Sequence, residues 1–367
     1  MTRCLMTLLA FCCAMLTGCG PQEPIRIGFI GGLSDRNSDN GQSGLNGATL
    51  AIENFNRAGG ANGRLVELIA RDDAQNAETA ARSASELVAA GVEAIIGPFT
   101  SGMAEVIVPI TGKAGIFEIS PTITSMAFYG KDDNLFRINR TTRDNAVEYA
   151  DVMARRGLMN IAIAYDVRNR NFSESWLNEF RQALTTHGGK IAVAIPYESA
   201  ADSNFDDIIR DMVKSRPDSL FFISGAIDVA RLAKAARSQS PNLPIGASEW
   251  ASTEQLTDLG GEFVDGLLIV QNYDRDDRSQ RFTEFSEAYL KRFQRAPGYS
   301  SVSAHDAATV LLTALKHRQK NETIKAAALR NSPYQGLQQE IVFDQNGDTP
   351  RKVYFTQIRS GRYVKIE

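Results

Sequence analysis

The chain has 367 residues, 40 basic against 43 acidic for a net charge of −3, and 43% of it is apolar. All four cysteines (Cys4, Cys12, Cys13 and Cys19) precede residue 20, which excludes a disulfide scaffold, a zinc ribbon, an iron–sulfur protein and a cysteine nucleophile from the folded part. Balanced charge without a basic cluster excludes nucleic acid as the main partner, because phosphate neutralisation needs massed Lys and Arg, and the length predicts two domains rather than one core.

The N-terminus reads as an export signal. Arg3 supplies a positive charge and Leu5 to Leu16 (LMTLLAFCCAML) an apolar run, too short to cross ~30 Å of hydrocarbon. Leu16-Thr17-Gly18-Cys19 resembles the lipobox of bacterial lipoproteins. That resemblance implies a signal peptide at 1–18, acylation of Cys19, and a polar tether at 19–24. The expected location is therefore the periplasm or cell surface, with the membrane reached through the lipid anchor. No later run approaches the length of a membrane span.

Strand-like and helix-like patterns then alternate. Ile25 to Ile30 reads as a buried strand, and Leu45, Ala48, Ala51, Ile52 and Phe55 recur at helical spacing. Leu65 to Ala70 is a strand, Ala77 to Val88 a helix, Ala94 to Ile96 a strand, Met103 to Lys113 a helix, and Ile116 to Ile119 a strand. The rhythm restarts after Asp144 with a helix through Val147, Ala150 and Met153 and a strand at Ile161 to Tyr165. A helix carrying Phe172, Trp176, Phe180 and Leu184 follows, then strands at Ile191 to Ile195 and Leu220 to Ile223 flanking a helix through Ile208, Ile209 and Met212. Helices marked by Phe282, Phe285 and Tyr289 and by Val302 to Leu315 precede three strands, Glu340 to Phe343, Lys352 to Ile358 and Tyr363 to Ile366. Two runs of strict β-α alternation predict an α/β protein of two doubly wound, Rossmann-like lobes with a hinge. The expected lobes are 25–141 with 275–336, and 142–274 with 337–367.

Ligands of open parallel sheets bind beyond the carboxyl ends of the strands, at helix N-termini. Gly97 to Gly102 and Ser120 to Ser125 are such loops, and their hydroxyls and N–H groups suit a carboxylate. N-capping and turn formation would use the same residues. In the second lobe Glu249 ends a strand beside the flat wall of Trp250. It could receive an ammonium group or simply complement a helix dipole.

The order of motifs resembles the type I periplasmic solute-binding proteins of the branched-chain amino acid (Leu/Ile/Val) group, which serve ABC transporters. The resemblance runs from Ile25 to the end. It rests on IRIGFIGGLS, NGQSGLNGATLAIENFNRAGGANGRLVELIARDDAQN, AIIGPFTS, FEISPTITS, LFRINRTTRDN, GASEW and FDQNGD, in that order. It implies that Ser101 and Thr124 bind an amino acid's carboxylate, that the Ile123 backbone assists, that Glu249 pairs with the ammonium, and that Thr100 and Trp250 lie close by. Three aromatic positions of the group fall on Asn40, on Asn171 or Phe172, and near Ala226, so its apolar side-chain pocket is expected to be largely missing. Asp39, Asn40, Arg168, Asn169, Arg170 and Asn171 surround that place; a polar ligand side chain and an ordinary exposed loop both account for them. Gln75 and Thr100 stand where some relatives carry a disulfide.

Other features carry no assignment. His187, His305 and His317 have no partner motif for a metal, and Asp344 to Asp348 suits a hairpin turn better than a calcium loop. No P-loop, G-x-G-x-x-G or G-x-S-x-G is present, and no nucleophile-and-base pair suggests an enzyme. The expectation is a monomeric receptor without cofactor that passes an amino acid or analogue to an ABC permease. A sensing or envelope-regulating lipoprotein of the same fold is the alternative.

Overall fold

The structure, a computed structural model, describes residues 22–34 and 38–366. The export signal and Cys19 lie outside these residues. Two sheets organise the chain. The first has the order β2-β1-β3-β4-β5, with β1 at Ile25–Gly31, β2 at Val66–Asp72, β3 at Ala94–Ile96, β4 at Phe117–Ser120 and β5 at Leu135–Arg137. All of its pairings are parallel; helices make the crossovers from β1 through β4, and a loop with one 3-10 turn, Met126–Phe128, joins β4 to β5.

The second sheet repeats that order in β7-β6-β8-β9-β10, built from β6 (Asn160–Asp166), β7 (Lys190–Tyr197), β8 (Ser219–Ile223), β9 (Ile245–Ala247) and β10 (Leu268–Gln271). The C-terminal strands β13 (Tyr354–Arg359) and β14 (Arg362–Lys365) extend it antiparallel beyond β10. A separate ribbon joins β11 (Tyr334–Gln335) to β12 (Glu340–Ile341). The two doubly wound lobes read from the sequence are thus present.

Each sheet is buried on both faces. In the first lobe, Ile27, Phe29, Ile96, Phe117 and Ile119 pack on one side against helices α1 (Asp39–Arg57) and α10 (Tyr299–His317). Ile30 and Ile95 pack on the other side against α2 (Ala77–Ala89) and α3 (Ser101–Lys113). In the second lobe, α4 (Thr142–Arg155) and α5 (Arg170–Thr186) cover one face through an aromatic group. There Trp176, Phe180 and Phe221 stack, with Tyr149 set edge-on to all three. The four-residue repeat of Phe172, Trp176, Phe180 and Leu184 is the buried stripe of α5.

The tail departs from expectation. Residues 337–348, expected in the second lobe, belong with the first: Leu337 packs among Phe282, Phe285 and Tyr289, and Ile341 and Phe343 join the core around Phe136. Only β13 and β14 reach the second sheet. The predicted strand Glu340 to Phe343 shrinks to the two residues of β12. An alternating pattern marks a half-buried strand but not the sheet edge it joins, and Phe343 finds an aromatic partner in Phe136 at 5.0 Å.

One core position is costly. Phe117 and Ile119 point into the first core, and the alternation places Glu118 on the opposite face, 2% exposed. Neither of its carboxylate oxygens has a hydrogen-bond partner among the described residues. Burial, with a smaller push from Asp133, raises its pKa to about 8. The folded protein therefore keeps Glu118 protonated through a range in which the unfolded chain ionises it, so its contribution makes stability fall as pH rises from about 4.5 to about 8. Glu118→Gln is expected to raise the thermal midpoint at pH 8 and leave it nearly unchanged at pH 4. Midpoints of the two proteins that stay parallel across this range would contradict the assignment.

Candidate functional site

The carboxyl ends of both sheets face a common cavity. From the first lobe it is lined by Phe99, Thr100 and Ser101 after β3, Thr122 after β4, Asn40 at the start of α1 and Tyr299 at the start of α10. From the second it is lined by Asn169 and Phe172 after β6, Glu249 and Trp250 after β9, and Asn272 after β10. The β1/β3 boundary is the point where strand order reverses, the usual ligand position in such sheets.

Two loops make the first wall, and hydrogen bonds fasten them together. Ser120 Oγ donates to the Pro98 carbonyl at 2.6 Å and Thr122 Oγ1 to the Phe99 carbonyl at 2.6 Å. Gly97 has φ +134°, and a Cβ there would lie 2.3 Å from the Ile30 carbonyl oxygen; only glycine permits this approach. Gly44 makes room for the Phe99 ring, which a Cβ would meet at 2.1 Å. The Ser125 N–H donates to Ser101 Oγ at a long 3.4 Å. Thr100, the residue preceding α3, gives its N-terminus no side-chain cap. Its hydroxyl instead donates to Gln75 Oε1 at 3.1 Å, so a hydrogen bond spans the place where some relatives of the resembled group carry a disulfide.

Glu249 anchors the second wall. It is 3% exposed. Its Oε1 accepts from Asn145 Nδ2 and its Oε2 from Trp176 Nε1, both at 2.9 Å. Asn145 is aimed by Arg140, whose Nε donates to Asn145 Oδ1 at 2.6 Å while its other nitrogens hold Glu148. Burial raises the Glu249 pKa, opposed by hydrogen bonds from its own backbone, Trp176 and Asn145 and by the Arg140 charge. The site thus holds a desolvated carboxylate whose ionised form gains most from a nearby cation. Trp250 and Phe172 close that side edge to face, 5.7 Å apart.

The lobes are fastened across the cleft. Asn169 Oδ1 accepts from the Gly102 N–H at 2.8 Å, capping the free first turn of α3 from the opposite lobe. Asn171 Nδ2 donates to Glu105 Oε2 at 2.6 Å, and Ser175 Oγ accepts from the Met126 N–H at 3.1 Å.

Of the residues singled out from sequence, Asn40, Thr100, Ser101, Phe172, Glu249 and Trp250 line the cavity. Thr124 does not. It is 1% exposed and its hydroxyl has no hydrogen-bond partner among the described residues. Ile123 packs with Ala104 and Leu135, and its N–H is spent on Ser120 Oγ at 3.2 Å; Thr122 lines the cavity instead. Asn171 serves the inter-lobe bond, and Ala226 is buried in the second core.

The polar surround divides between its two accounts, with Asn40 and Asn169 lining the cavity. Arg168 bonds Asp166, Arg170 bonds Glu174, and neither lines the cavity. Four rings, Phe99, Phe172, Trp250 and Tyr299, line it beside three amides, Asn40, Asn169 and Asn272. Phe99 sits inside a motif already noted, whereas nothing in the local pattern marks Tyr299 or Asn272.

Comparison with known proteins places this geometry in context. A family profile described as "Periplasmic binding protein" matches residues 24–362. A leucine-, isoleucine-, valine-, threonine- and alanine-binding protein of Pseudomonas aeruginosa is 23% identical over 333 residues, covering 89% of this chain and 87% of the relative. A leucine binding protein from Thermotoga maritima superposes with a TM-score of 0.86 at 22% identity, over 94% of this chain and 98% of that one. An ABC transporter solute binding protein from R. palustris, solved with benzoate, superposes at 0.83 with 18% identity, over 94% and 95%.

Proposed function

The chain belongs to the periplasmic binding protein family, and from that premise we propose that it captures an amino acid or close analogue between its lobes for delivery to an ABC permease. The observation that carries this reading is a buried carboxylate, Glu249, lining the same cavity as Thr122 and Ser101, the first residue of α3. An α-amino acid presents the complementary pair of charges. Its ammonium relieves the desolvated Glu249, and its carboxylate takes the Ser101 hydroxyl and the helix N-terminus. Closure of the lobes excludes water and strengthens both contacts.

In this reading the lipobox at Leu16 to Cys19 supplies acylation at Cys19. The anchor would keep a monomeric receptor at the periplasmic or outer cell surface, near its permease. The site holds and orients a solute, and the reading assigns it no reaction. The name of the Pseudomonas aeruginosa relative supports an amino acid; the benzoate-bound neighbour represents the competing class, a carboxylate without an amine.

Native mass spectrometry of the gently purified protein, followed by calorimetry with amino acids and aromatic acids, tests the proposal. An α-amino acid carried through purification, or one that binds with micromolar or better affinity, is the expected result. Binding confined to acids that lack an amine would overturn it, because Glu249 would then meet no cation.

A further inference from the structure

A solute carboxylate in this cavity finds no cation. Glu249 is the one charged side chain among the described residues that line it, so the carboxylate depends on neutral donors. The first lobe offers few. Thr100 and Thr122 donate their hydroxyl protons to Gln75 and to the Phe99 carbonyl, which leaves the Ser101 hydroxyl and the N–H groups of the first turn of α3. One of those, the Gly102 N–H, is already held by Asn169 of the second lobe.

Asn169 is placed to supply a further donor. It precedes α5 without capping it, so its side chain is spared by its own helix and crosses the cleft. A backbone N–H can be met only by the oxygen of a side-chain amide, and the Gly102 bond at 2.8 Å therefore fixes which end of the amide is which. Nδ2 makes no hydrogen bond among the described residues and, unlike the equally unbonded hydroxyl of Thr124, is not sealed off. Such a donor wants an acceptor. The cavity that Asn169 lines is narrow, about 20 Å³. Gly102 adjoins Ser101, so a carboxylate resting on Ser101 lies within reach of the Asn169 amide.

We propose that Asn169 is a specificity-determining residue whose oxygen ties the second lobe to α3 while its nitrogen donates to the solute's carboxylate. A carboxylate bridging Ser101 and Asn169 holds both lobes at once and makes full closure depend on that group. The inference rests on the amino-acid reading of the cavity and adds the residue by which the second lobe recognises the carboxylate.

Calorimetry on the intact protein, first with the protein amino acids and then with the carboxamide of the tightest binder, compares the parent with Asn169→Asp and Asn169→Ala. Aspartate keeps an oxygen for the Gly102 N–H but sets a negative charge against the solute's own. Alanine loses the tie and the donor without adding charge. The amino acid is expected to bind about tenfold more weakly to Asn169→Ala and about a hundredfold more weakly to Asn169→Asp. The carboxamide, which has no negative end, is expected to bind Asn169→Asp at least as well as it binds the parent. Thermal midpoints near that of the parent show that each variant is folded. A residue that only ties the lobes predicts the opposite order, with Asn169→Asp close to the parent and Asn169→Ala weaker. That order overturns the inference, as does a carboxamide whose affinity falls together with the acid's, and in either case the amino-acid reading stands. If no amino acid binds the parent, that reading fails and this inference with it.

Discussion

Glu249→Gln is expected to weaken amino acid binding by about a hundredfold, since removing one member of a buried charge pair costs several kcal/mol. The substitution keeps the shape but not the chemistry. Asn145 and Trp176 each donate a hydrogen bond to one carboxylate oxygen. A glutamine can accept only one of them, and its NH2 group must face the other donor. The ligand's ammonium would also lose its counter-charge in a place from which water is excluded. A pH dependence accompanies this effect. Burial raises the Glu249 pKa, and an ammonium ligand binds the ionised form, so affinity falls as pH drops through the free protein's raised pKa. In Glu249→Gln that dependence should vanish. Titration calorimetry across the acidic range measures both, and unchanged affinity in the variant would remove Glu249 from the site.

The sequence made the strand-and-helix order legible because the strands are nearly continuous apolar runs and most helices carry a wide apolar stripe. It left α7 (Ala226–Gln239) unseen for the same physical reason. Five of that helix's buried residues are alanines, which pack closely without standing out as a stripe. The loops were legible as positions and less so as contacts. FEISPTITS contains the turn that borders the cavity, but which of Thr122, Ile123 and Thr124 faces it depends on how the chain bends after Ser120, and that bend is set by the Ser120 bonds to Pro98 and Ile123. For the polar residues near Arg168, pocket lining and exposed loop both stayed open, because composition does not show pairing. In the fold, Asp166 and Glu174 occupy both arginines.

The motif LFRINRTTRDN illustrates how a binding signature can be mostly scaffolding. None of its residues lines the cavity. Arg140 aims Asn145, and Asn145 holds Glu249. Thr141 and Asp144 form the capping box that starts α4, so the chain enters the second lobe with Asn145 one turn inside a fixed helix end. Thr142 Oγ1 is bonded to Ser175 Oγ at 2.7 Å, and Ser175 in turn receives the Met126 N–H from the first lobe. The segment that crosses between the lobes therefore positions the Glu249 carboxylate and takes part in the contact between them. Arg351 adds a second buried tie at the crossing, paired with Asp306 of α10 at 2.8 Å.

Asp348→Ala is expected to cost about 3–5 kcal/mol of stability, the range for breaking a buried ion pair on one side. The terminal FDQNGD segment, which reads as a hairpin turn, brings this carboxylate back to the first lobe. There Asp348 Oδ1 accepts from Arg137 Nε at 2.7 Å and from Nη2, and Oδ2 accepts from the Gly130 N–H at 2.8 Å. Arg137 is 1% exposed and its Nη1 donates to the Ser125 carbonyl at 3.0 Å, so the pair braces the loop that carries Thr122 and Ser125. Truncation would strand a buried guanidinium and loosen that loop together. Urea unfolding should register the loss of stability, and calorimetry on the folded variant should show weaker ligand binding although Asp348 does not line the cavity. Replacing both partners with apolar residues, Arg137→Met with Asp348→Leu, should recover much of the stability, because no charge is then left unpaired, but not the brace on Ser125. A loss below about 1 kcal/mol in Asp348→Ala, the scale of an exposed pair, would mean that this ion pair is not holding the loop.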